Sequence, residues 1–371
     1  MVKLGSVARL INGRAYKKNE LLQEGKYKVL RVGNFFSNRG WYWSDLELPQ
    51  DKYCDDGDLL YAWSASFYPQ IWDGGQVIYH YHIWKLELDE ERVDKKYLFH
   101  ALKYDVEKIK LEQGTGSTMI HVTKAAMEDR QIPLPPLDEQ KRIAAMLDKA
   151  DAIRQKRKQA IALADEFLRS VFLDMFGNDL VRPSERITLG EVTILDAKMV
   201  DPREEKYLDL LHIGPDRIEK RSGKLLPALT AREEMLISKK FLFDEEYVLY
   251  SKIRPYLRKV AIPDFSALCS ADMYPVKPVK DKVTREFIWM LLLSDLFDNY
   301  VGSLPDRANI PKLNKKELAA FEFSLPHFEK IKKFSDVVKK INYKKVKMEE
   351  SFSLATCSFN ALSQKAFSGQ L

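Results

Sequence analysis

The stretch IPLPPLDEQKRIAAMLDKADAIRQKRKQAIALADEFLRSVFLDMFGN, residues 132–178, decides the fold. Prolines lie at its start, and about forty residues then follow without Pro or Gly until Phe176-Gly177. Proline and glycine are the residues that a helix interior tolerates least. The stretch therefore predicts one long helix near the centre of the 371-residue chain.

A second copy of this pattern closes the chain. Pro326 matches Pro135 at a shift of 191 residues (326 − 135), and the match needs no gap up to the C-terminus. The inward-facing positions alternate steps of four and three, which is the heptad pattern of a coiled coil. They are Ile143, Leu147, Ala150, Arg154, Arg157, Ile161, Ala164, Leu168, Val171 and Met175 in the first copy, and Phe334, Val338, Ile341, Lys345, Met348, Phe352, Ala355, Phe359, Leu362 and Ala366 in the second. The shared frame makes two unrelated amphipathic helices the weaker interpretation.

The two seams predict a pair of long helices. A helix of about 39 residues spans about 58 Å, at about 1.5 Å per residue. Each seam turns basic near its middle, which would weaken packing there unless the side chains reach outward. Because each flanking segment must join the end of one helix to the start of the other, we expect the helices to pair antiparallel.

The flanking segments repeat as well. LGSVARLINGRAYKK from Leu4 resembles LGEVTILDAKMVDPR from Leu189, and GDLLYAW at 57–63 resembles EYVLYSK at 246–252. The predicted organisation is lobe, helix, lobe, helix, with boundaries at 1–133, 134–178, 179–324 and 325–371.

Within the lobes, short strand-like runs mix with helical stretches. Residues 77–86 read as one strand, and residues 95–112 and 284–300 read as one helix each. The predicted fold class is α+β, with two lobes related by a pseudo-twofold, mostly antiparallel sheets, and a long antiparallel two-helix coiled coil that separates the lobes.

The composition bounds the class of protein. Hydrophobic residues make up 45% of the chain and charged residues 31%, and the net charge of +6 permits nucleic-acid binding. No run of about 18 apolar residues is present, so we expect no membrane partner. Cys54, Cys269 and Cys357 are widely spaced without a CxxC pair, and the N-terminal segment lacks the apolar core of a signal peptide. These features predict reduced thiols and a cytoplasmic location.

The motifs of an autonomous enzyme are missing from the sequence. The Asn/Asp-Pro-Pro-Tyr/Phe motif of amino-methyltransferases, the GxxxxGK[ST] phosphate loop and the acidic pattern of metal-dependent nucleases are all absent. His80 and His82 would share one strand face as a possible metal pair, but no Cys or carboxylate has ligand spacing, which favours a packed or DNA-facing pair. We therefore expect no catalytic residue, no metal and no cofactor.

Together these features resemble the specificity subunit of a type I restriction–modification system. The resemblance rests on PLPPLDEQKRIAAMLDKADAIRQKRKQAI, LPDRANIPKLNKKELAAFEFSLP, LYSKIRPYLRKVAIP and CSADMYPV. It implies two target-recognition domains that each read half of a bipartite site on double-stranded DNA. It also implies helical regions that set the gap and hold two methylation (M) subunits, restriction (R) subunits that attach through these M subunits, and adenine as the methylated base. The second helical region departs from the pattern, since it has no pair that matches Glu139-Gln140.

Candidate binding residues follow from the chemistry of DNA. Phosphates are contacted by Lys and Arg, and base edges by side chains that form paired hydrogen bonds. The predicted DNA-binding residues are Arg14, Tyr16, Lys17, Lys18, Asn34, Arg39, Ser64, Ser66, Tyr68, Ser117 and His121 in the first lobe, and Arg217, Lys220, Arg221, Lys252, Arg254, Tyr256, Arg258, Arg307, Asn309 and Lys312 in the second. The predicted partner-binding residues are Leu137, Glu139, Gln140, Arg142, Phe328 and Lys332.

Two other functions stay open at this point. One is a self-sufficient DNA-modifying enzyme, against which the missing motifs argue, and the other is a coiled-coil scaffold without a DNA role. The leading interpretation treats the helix pair as a ruler that holds half-sites about 10 base pairs apart, centre to centre.

Overall fold

The computed structural model describes residues 1–36, 40–64, 67–112, 122–183, 186–195, 197–305 and 311–371. The chain divides into two compact units. Unit 1 comprises Met1–Arg157 and Ser351–Leu371, and unit 2 comprises Lys158–Glu350.

Unit 1 contains two four-stranded sheets, a two-stranded pair and three helices before the first long helix. Its strands are β1 (Val2–Lys3), β2 (Ala8–Asn12), β3 (Tyr27–Leu30), β4 (Tyr42–Ser44), β5 (Tyr53–Cys54), β6 (Leu59–Ala62), β7 (Tyr68–Ile71), β8 (Val77–Tyr79), β9 (Ile83–Leu88) and β10 (Gln131–Ile132). Its helices are α1 (Val32–Phe36), α2 (Lys95–Glu112) and α3 (Lys124–Glu128), and α4 (Leu137–Leu180) follows them. One sheet has the order β2-β9-β6-β7 and is antiparallel throughout. The other has the order β4-β3-β8-β5, in which β3 and β8 run parallel.

Unit 2 repeats this plan. Its strands are β11 (Arg186–Thr188), β12 (Thr193–Ile194), β13 (Met199–Val200), β14 (His212–Ile213), β15 (Lys240–Phe243), β16 (Val248–Ser251), β17 (Val260–Ala261), β18 (Ala267–Cys269), β19 (Met273–Pro278) and β20 (Glu322–Ser324). Its helices are α5 (Leu189–Val192), α6 (Arg285–Leu293), α7 (Asp295–Ser303) and α8 (Lys315–Ala319), and α9 (Phe328–Ser368) follows them. The sheets have the orders β12-β19-β16-β17 and β13-β15-β18-β14. Strands β6 and β16 are buried along their whole length, which fits their runs of Leu, Val and Tyr.

The long helices pair antiparallel within each unit, as the seams predict. In unit 1, Ile143 and Leu147 near the start of α4 pack with Phe359 and Phe367 near the end of α9. In unit 2 the end of α4 packs with the start of α9, and the Phe176 ring lies 5.5 Å from that of Phe334. None of the helices in the described part of the chain is long and apolar enough to cross a membrane.

The basic middle of each seam is neutralised inside the helix pair and does not turn outward. In unit 1, the guanidinium of Arg154 lies 4.7 Å from the centre of the Phe359 ring and donates to Asp151, 2.5 Å away. In unit 2, Lys345 Nζ donates to Asp165 Oδ1 at 2.6 Å. Arg154 and Lys345, both partly buried, thus have carboxylate partners, and Arg157 donates to the Ser351 carbonyl at 2.7 Å, so the cations of the seam are engaged where its apolar residues run out.

Two sequence predictions of secondary structure are wrong. Residues 77–86 form two strands, and His80 and His82 lie in the turn between them and not on one strand face. Residues 284–300 form two helices, because Ser294 has an extended backbone and its hydroxyl caps α7 by accepting from Phe297 N–H. The four-segment boundaries stay a prediction.

Candidate nucleic-acid interface

The connection between β16 and β17 forms a rigid, basic loop in unit 2. Arg254 and Arg258 both have left-handed backbone conformations, with φ of 48° and 47°, and they flank a one-turn helix at Pro255–Leu257. The Arg254 N–H donates to the Pro311 carbonyl at 2.9 Å. Non-glycine residues adopt the left-handed conformation at a cost in free energy, so it persists only where the surrounding structure imposes it. Such residues are found more often at functional sites. The tip of the loop presents Arg254 and Tyr256, whose side chain is 52% exposed.

Two other cations of this loop are held inside the unit. Lys252 Nζ donates to the Ala271 carbonyl at 2.6 Å. Arg258 lies 2.8 Å from Asp295 and 2.5 Å from Asp298, and the hydrogen bond to Asp298 raises the pKa of the guanidinium although burial opposes the shift. Arg258 therefore stabilises the fold, and its predicted role as a DNA-binding side chain has no support from its position.

A second basic segment, residues 215–224, lies against this loop. The Arg221 N–H donates to the carbonyls of Leu257 and Arg258, both at 3.2 Å. Arg217 is engaged, since it lies 3.1 Å from Asp216 and donates to the Pro227 carbonyl. The side chains of four exposed cations make no hydrogen bond or ion pair with any residue that the structure describes; they are Lys220, Arg221, Arg254 and Lys312.

Unit 1 uses part of its predicted DNA-binding set for its own packing. Arg14 makes a two-point ion pair with Glu20 at 2.8 and 2.9 Å, and this hydrogen bonding is the main reason why the pKa of Glu20 falls to about 2. The Tyr16 ring stacks on His80, and burial raises the pKa of its hydroxyl. Lys17 and Lys18 remain exposed.

An aromatic cluster lies at the turn between β8 and β9 in unit 1. The Trp63 and His82 rings meet edge to face at 5.1 Å, and Trp63 Nε1–H donates to the Tyr81 carbonyl at 2.8 Å. Burial, with His82 and Arg31 nearby, lowers the pKa of His80 to about 4. His80 is therefore neutral at pH 7, and the described residues contain no group of three or more ligands that could hold a metal ion. The His80 and His82 rings lie 4.8 Å apart, and a DNA-facing role of this pair stays a prediction.

The remaining predicted DNA-binding residues have mixed positions. Asn34 Oδ1 accepts from the Arg31 N–H at 3.1 Å, Ser64 is buried, and the Tyr68 ring lies 6.0 Å from Lys103 Nζ. Six predicted residues lie outside the described residues: Arg39, Ser66, Ser117, His121, Arg307 and Asn309.

Gln140 is not on the exposed partner-binding surface that the sequence predicts, because its side chain is 0% exposed. Its amide oxygen accepts from the Asp94 N–H at 2.9 Å, and its amide nitrogen donates to the carbonyls of Arg92 and Pro135 at 2.9 and 2.8 Å. A buried amide with these partners fixes the lobe to the start of α4. The correction follows from tertiary contacts that a helix pattern does not contain.

The other predicted partner-binding residues are at least partly exposed. Arg142 pairs with Glu139 at 2.5 Å, Lys332 pairs with Glu329 at 3.2 Å, and Leu137 and Phe328 are half-buried. The sequence interpretation missed exposed apolar residues farther along the helices, of which Leu163 is 55% and Leu354 68% exposed. Their signal in the sequence is an apolar residue that lies off the heptad seam.

Comparison with known proteins identifies the family and the fold. The family model described as "Type I restriction modification DNA specificity domain" matches residues 1–163 and 220–351. The chain belongs to this family. DNA sequence recognition is the function of the family, and its members are non-catalytic specificity subunits that bind DNA and assemble with M and R subunits.

Individual relatives support the same assignment. The chain is 26% identical over 319 residues to the type I restriction enzyme EcoDI specificity subunit of Escherichia coli, with 75% of this chain and 70% of the relative covered. It is 22% identical over 330 residues to the MjaVIII specificity subunit of Methanocaldococcus jannaschii, with 78% and 73% covered. Its fold is similar to the crystal structure of the S subunit from M. genitalium, with a TM-score of 0.59, 17% identity, and 99% of this chain and 95% of that chain covered. The scaffold and the self-sufficient enzyme are not favoured.

Proposed function

We propose that the two units each read one half of a split DNA site, and that the paired helices fix the distance between the halves. The observation that carries this proposal is the duplication of the antiparallel sheet, β2-β9-β6-β7 in unit 1 and β12-β19-β16-β17 in unit 2. In both units the loop that joins the last two strands of this order lies among the candidate DNA-binding residues. A duplicated frame with two different loops suits two half-sites of different sequence.

The candidate contacts divide by chemistry. In unit 2 the exposed cations Lys220, Arg221, Arg254 and Lys312 are available to phosphates or base edges, because no carboxylate of the described residues pairs with them. In unit 1, Lys17 and Lys18 are the exposed cations among the described residues of the predicted set, and the partly exposed Tyr81 adds an aromatic edge. The methyl transfer itself belongs to the M subunits, with adenine as the proposed target base.

We further propose two M subunits, one at each unit, with R subunits attached through them in the cytoplasm. Leu163 and Leu354 lie at the same repeat position (354 − 163 = 191), and both are more than half exposed, one in unit 2 and one in unit 1. Exposed apolar residues at equivalent positions favour two equivalent docking points.

The bipartite site is tested by methylome sequencing of a host that expresses the chain with its M partner. The expected result is one split sequence with methylated adenine in both halves and about 10 base pairs between half-site centres. Insertion of four residues after Arg157 and four before Ser351 lengthens both helices at the division between the units. This change should alter the spacer and leave both half-sites intact. An unchanged spacer would refute the ruler.

The two docking points are tested by native mass spectrometry of the assembled complex. Leu163→Glu and Leu354→Glu should each remove one M subunit, and the double variant should remove both, because a buried unpaired carboxylate is unfavourable. Gln155→Glu adds the same charge on an exposed helix position and serves as the control. Loss of both M subunits from one single variant would contradict two independent docking points.

A further inference from the structure

Three arginines line one cavity of about 240 Å³ in unit 2. Arg169 comes from α4, Arg221 from the basic segment, and Arg258 from the loop between β16 and β17. Met290 and Ser294 close the cavity on the side of α6. Like charges in one small cavity repel each other, so this arrangement requires compensation.

The compensation inside the protein is incomplete. Arg258 is neutralised by Asp295 and Asp298, as described above. Arg169 donates to the Arg221 carbonyl, and neither Arg169 nor Arg221 forms an ion pair with a residue that the structure describes. Among the described residues, these two guanidinium groups thus have no ion-pair partner, because the one carboxylate that lines the cavity, that of Asp295, pairs with Arg258.

Unit 1 contains the same cavity with different chemistry. Its lining residues His100 and Asn360 occupy the repeat positions of Met290 and Arg169, at shifts of 190 and 191 (290 − 100 and 360 − 169). This cavity of about 440 Å³ also has two cations, Lys103 and Arg154, but both pair with Asp151 at 3.0 and 2.5 Å. Of the two equivalent cavities, the one in unit 2 therefore contains arginines without an ion-pair partner among the described residues. This difference shows that the duplicated fold by itself does not require them.

We propose that Arg169 and Arg221 bind a backbone phosphate of the DNA, an inference that rests on the proposed function of unit 2. Guanidinium groups suit this ligand, because their planar forks match pairs of phosphate oxygens. The cavity is continuous with the candidate interface, since the Arg221 N–H is bonded to the carbonyls of Leu257 and Arg258. Arg169 lies on the long helix, so this contact extends the DNA-binding surface of unit 2 from the lobe to the helix.

The test compares salt dependences of DNA binding for the complex with its M partner. Fluorescence anisotropy titrations at several salt concentrations, on a specific and a nonspecific duplex, give the slope of log K against log salt. The double substitution of Arg169→Gln with Arg221→Gln should reduce the slope by about 0.9, the value for one phosphate contact. Each single substitution should reduce the slope by part of that amount and leave the methylated sequence unchanged. Arg169→Lys keeps the charge and should keep the slope while it weakens binding. Asn360→Gln, at the repeat position in unit 1, should change neither quantity.

An unchanged slope in both glutamine variants would overturn the inference. A change in the DNA sequence that is methylated would also overturn it, because that result would assign Arg169 to base reading. Calorimetric titration with inorganic phosphate separates the two sources of the ligand. Phosphate binding that disappears in Arg169→Gln while the DNA slope stays constant would assign the cavity to a free anion and would also overturn the inference. The nonspecific duplex keeps the slope measurable even if no split site exists, so failure of the proposed function is distinguishable from failure of the phosphate contact.

Discussion

Units 1 and 2 share one sheet and differ in the other. The antiparallel sheets have equivalent orders, and each second sheet contains the same run of three neighbouring strands, β3-β8-β5 and β14-β18-β15. The fourth strand differs: β4 pairs with β3 in unit 1, whereas β13 pairs with β15 at the opposite edge in unit 2. The two units thus share the pairing of two strands on either side of β8 and of β18, and they differ in the edge to which the fourth strand is added.

The loops of the shared sheet differ in length and in chemistry. The connection between β6 and β7 spans 63–67, and the longer connection between β16 and β17 spans 252–259. Unit 1 places aromatic rings around its loop, whereas unit 2 presents arginine on a strained backbone. We expect the two half-sites to be read by different kinds of contact.

The attachment of each lobe to the helices also differs. In unit 1 the contacts include two polar pairs: His100 and Lys103 on α2 bond to Asp148 and Asp151 on α4 at 2.8 and 3.0 Å. In unit 2 the repeat positions of His100 and Lys103 are the apolar Met290 and Leu293, and aromatic rings from α4, α6 and α9 form the core. Apolar packing attaches the lobe to the helices in both units, since Tyr97 and Ala101 pack with Phe367 in unit 1, and unit 1 adds ion pairs at positions where unit 2 has apolar residues.

The largest predicted effect removes a ring from the aromatic core of unit 2. Phe176 is 0% exposed, with ring centres of Phe287 and Phe334 at 5.2 and 5.5 Å. Phe176→Ala should lower the free energy of unfolding of unit 2 by about 3–5 kcal/mol, because it leaves a cavity in a packed core. Hydrogen exchange at β16 and β19 measures this loss, with β6 and β9 as the internal reference. Phe367→Ala, at the repeat position in unit 1, should instead increase hydrogen exchange at β6 and β9. If either variant increased exchange in both units, the two units would not unfold separately and the comparison would fail.

An intermediate effect breaks the polar attachment of unit 1. Gln140→Ala leaves the Asp94 N–H and two carbonyls without their partner, which should lower the free energy of unfolding of unit 1 by about 1–3 kcal/mol. Urea unfolding followed by tryptophan fluorescence measures the free energy of unfolding of unit 1 in a Trp289→Phe background. The background is used because the other tryptophans all lie in unit 1, so the fluorescence then reports on that unit alone. Glu139→Ala, on the exposed neighbour, should change it by less than about 0.5 kcal/mol. Equal effects of the two substitutions would show that the buried amide has no special role.

The smallest effect is a pH dependence confined to unit 1. His80 Nδ1 accepts from the His82 N–H at 3.4 Å, and burial is the main cause that lowers the pKa of both His80 and His100. Below about pH 6.5 the unfolded chain therefore takes up protons that the folded unit does not, and stability falls as the pH falls. The urea midpoint of the Trp289→Phe protein should drop between pH 7.5 and pH 5.5.

The double substitution His80→Gln with His100→Met serves as the control for this titration. It removes both buried imidazoles and introduces at position 100 the residue that unit 2 has at Met290. Most of the pH dependence should disappear in this variant. A midpoint that drops as far as in the parent protein would assign the effect to other groups.

Much of the helical frame could be predicted from the sequence, because the buried positions of a long helix recur every three or four residues along the chain. The heptad seam and the 191-residue shift predict α4, α9 and their antiparallel pairing, and burial of Leu147, Leu168, Phe334 and Val338 confirms the seam. The DNA-binding residues were harder to predict, since Arg258 and Arg254 have the same residue type in the same loop and differ only in their surroundings.

The sequence by itself determined the duplication, the long helices and the family, because each of these features can be recognised from regular spacing or from motifs along the chain. Only the tertiary structure decided which of the candidate cations are neutralised inside the fold. The carboxylates that neutralise Arg258 are Asp295 and Asp298, about forty residues away, and the groups that bury Gln140 come from a different element. An ion pair depends on distance in space, and the linear order of residues does not contain that distance.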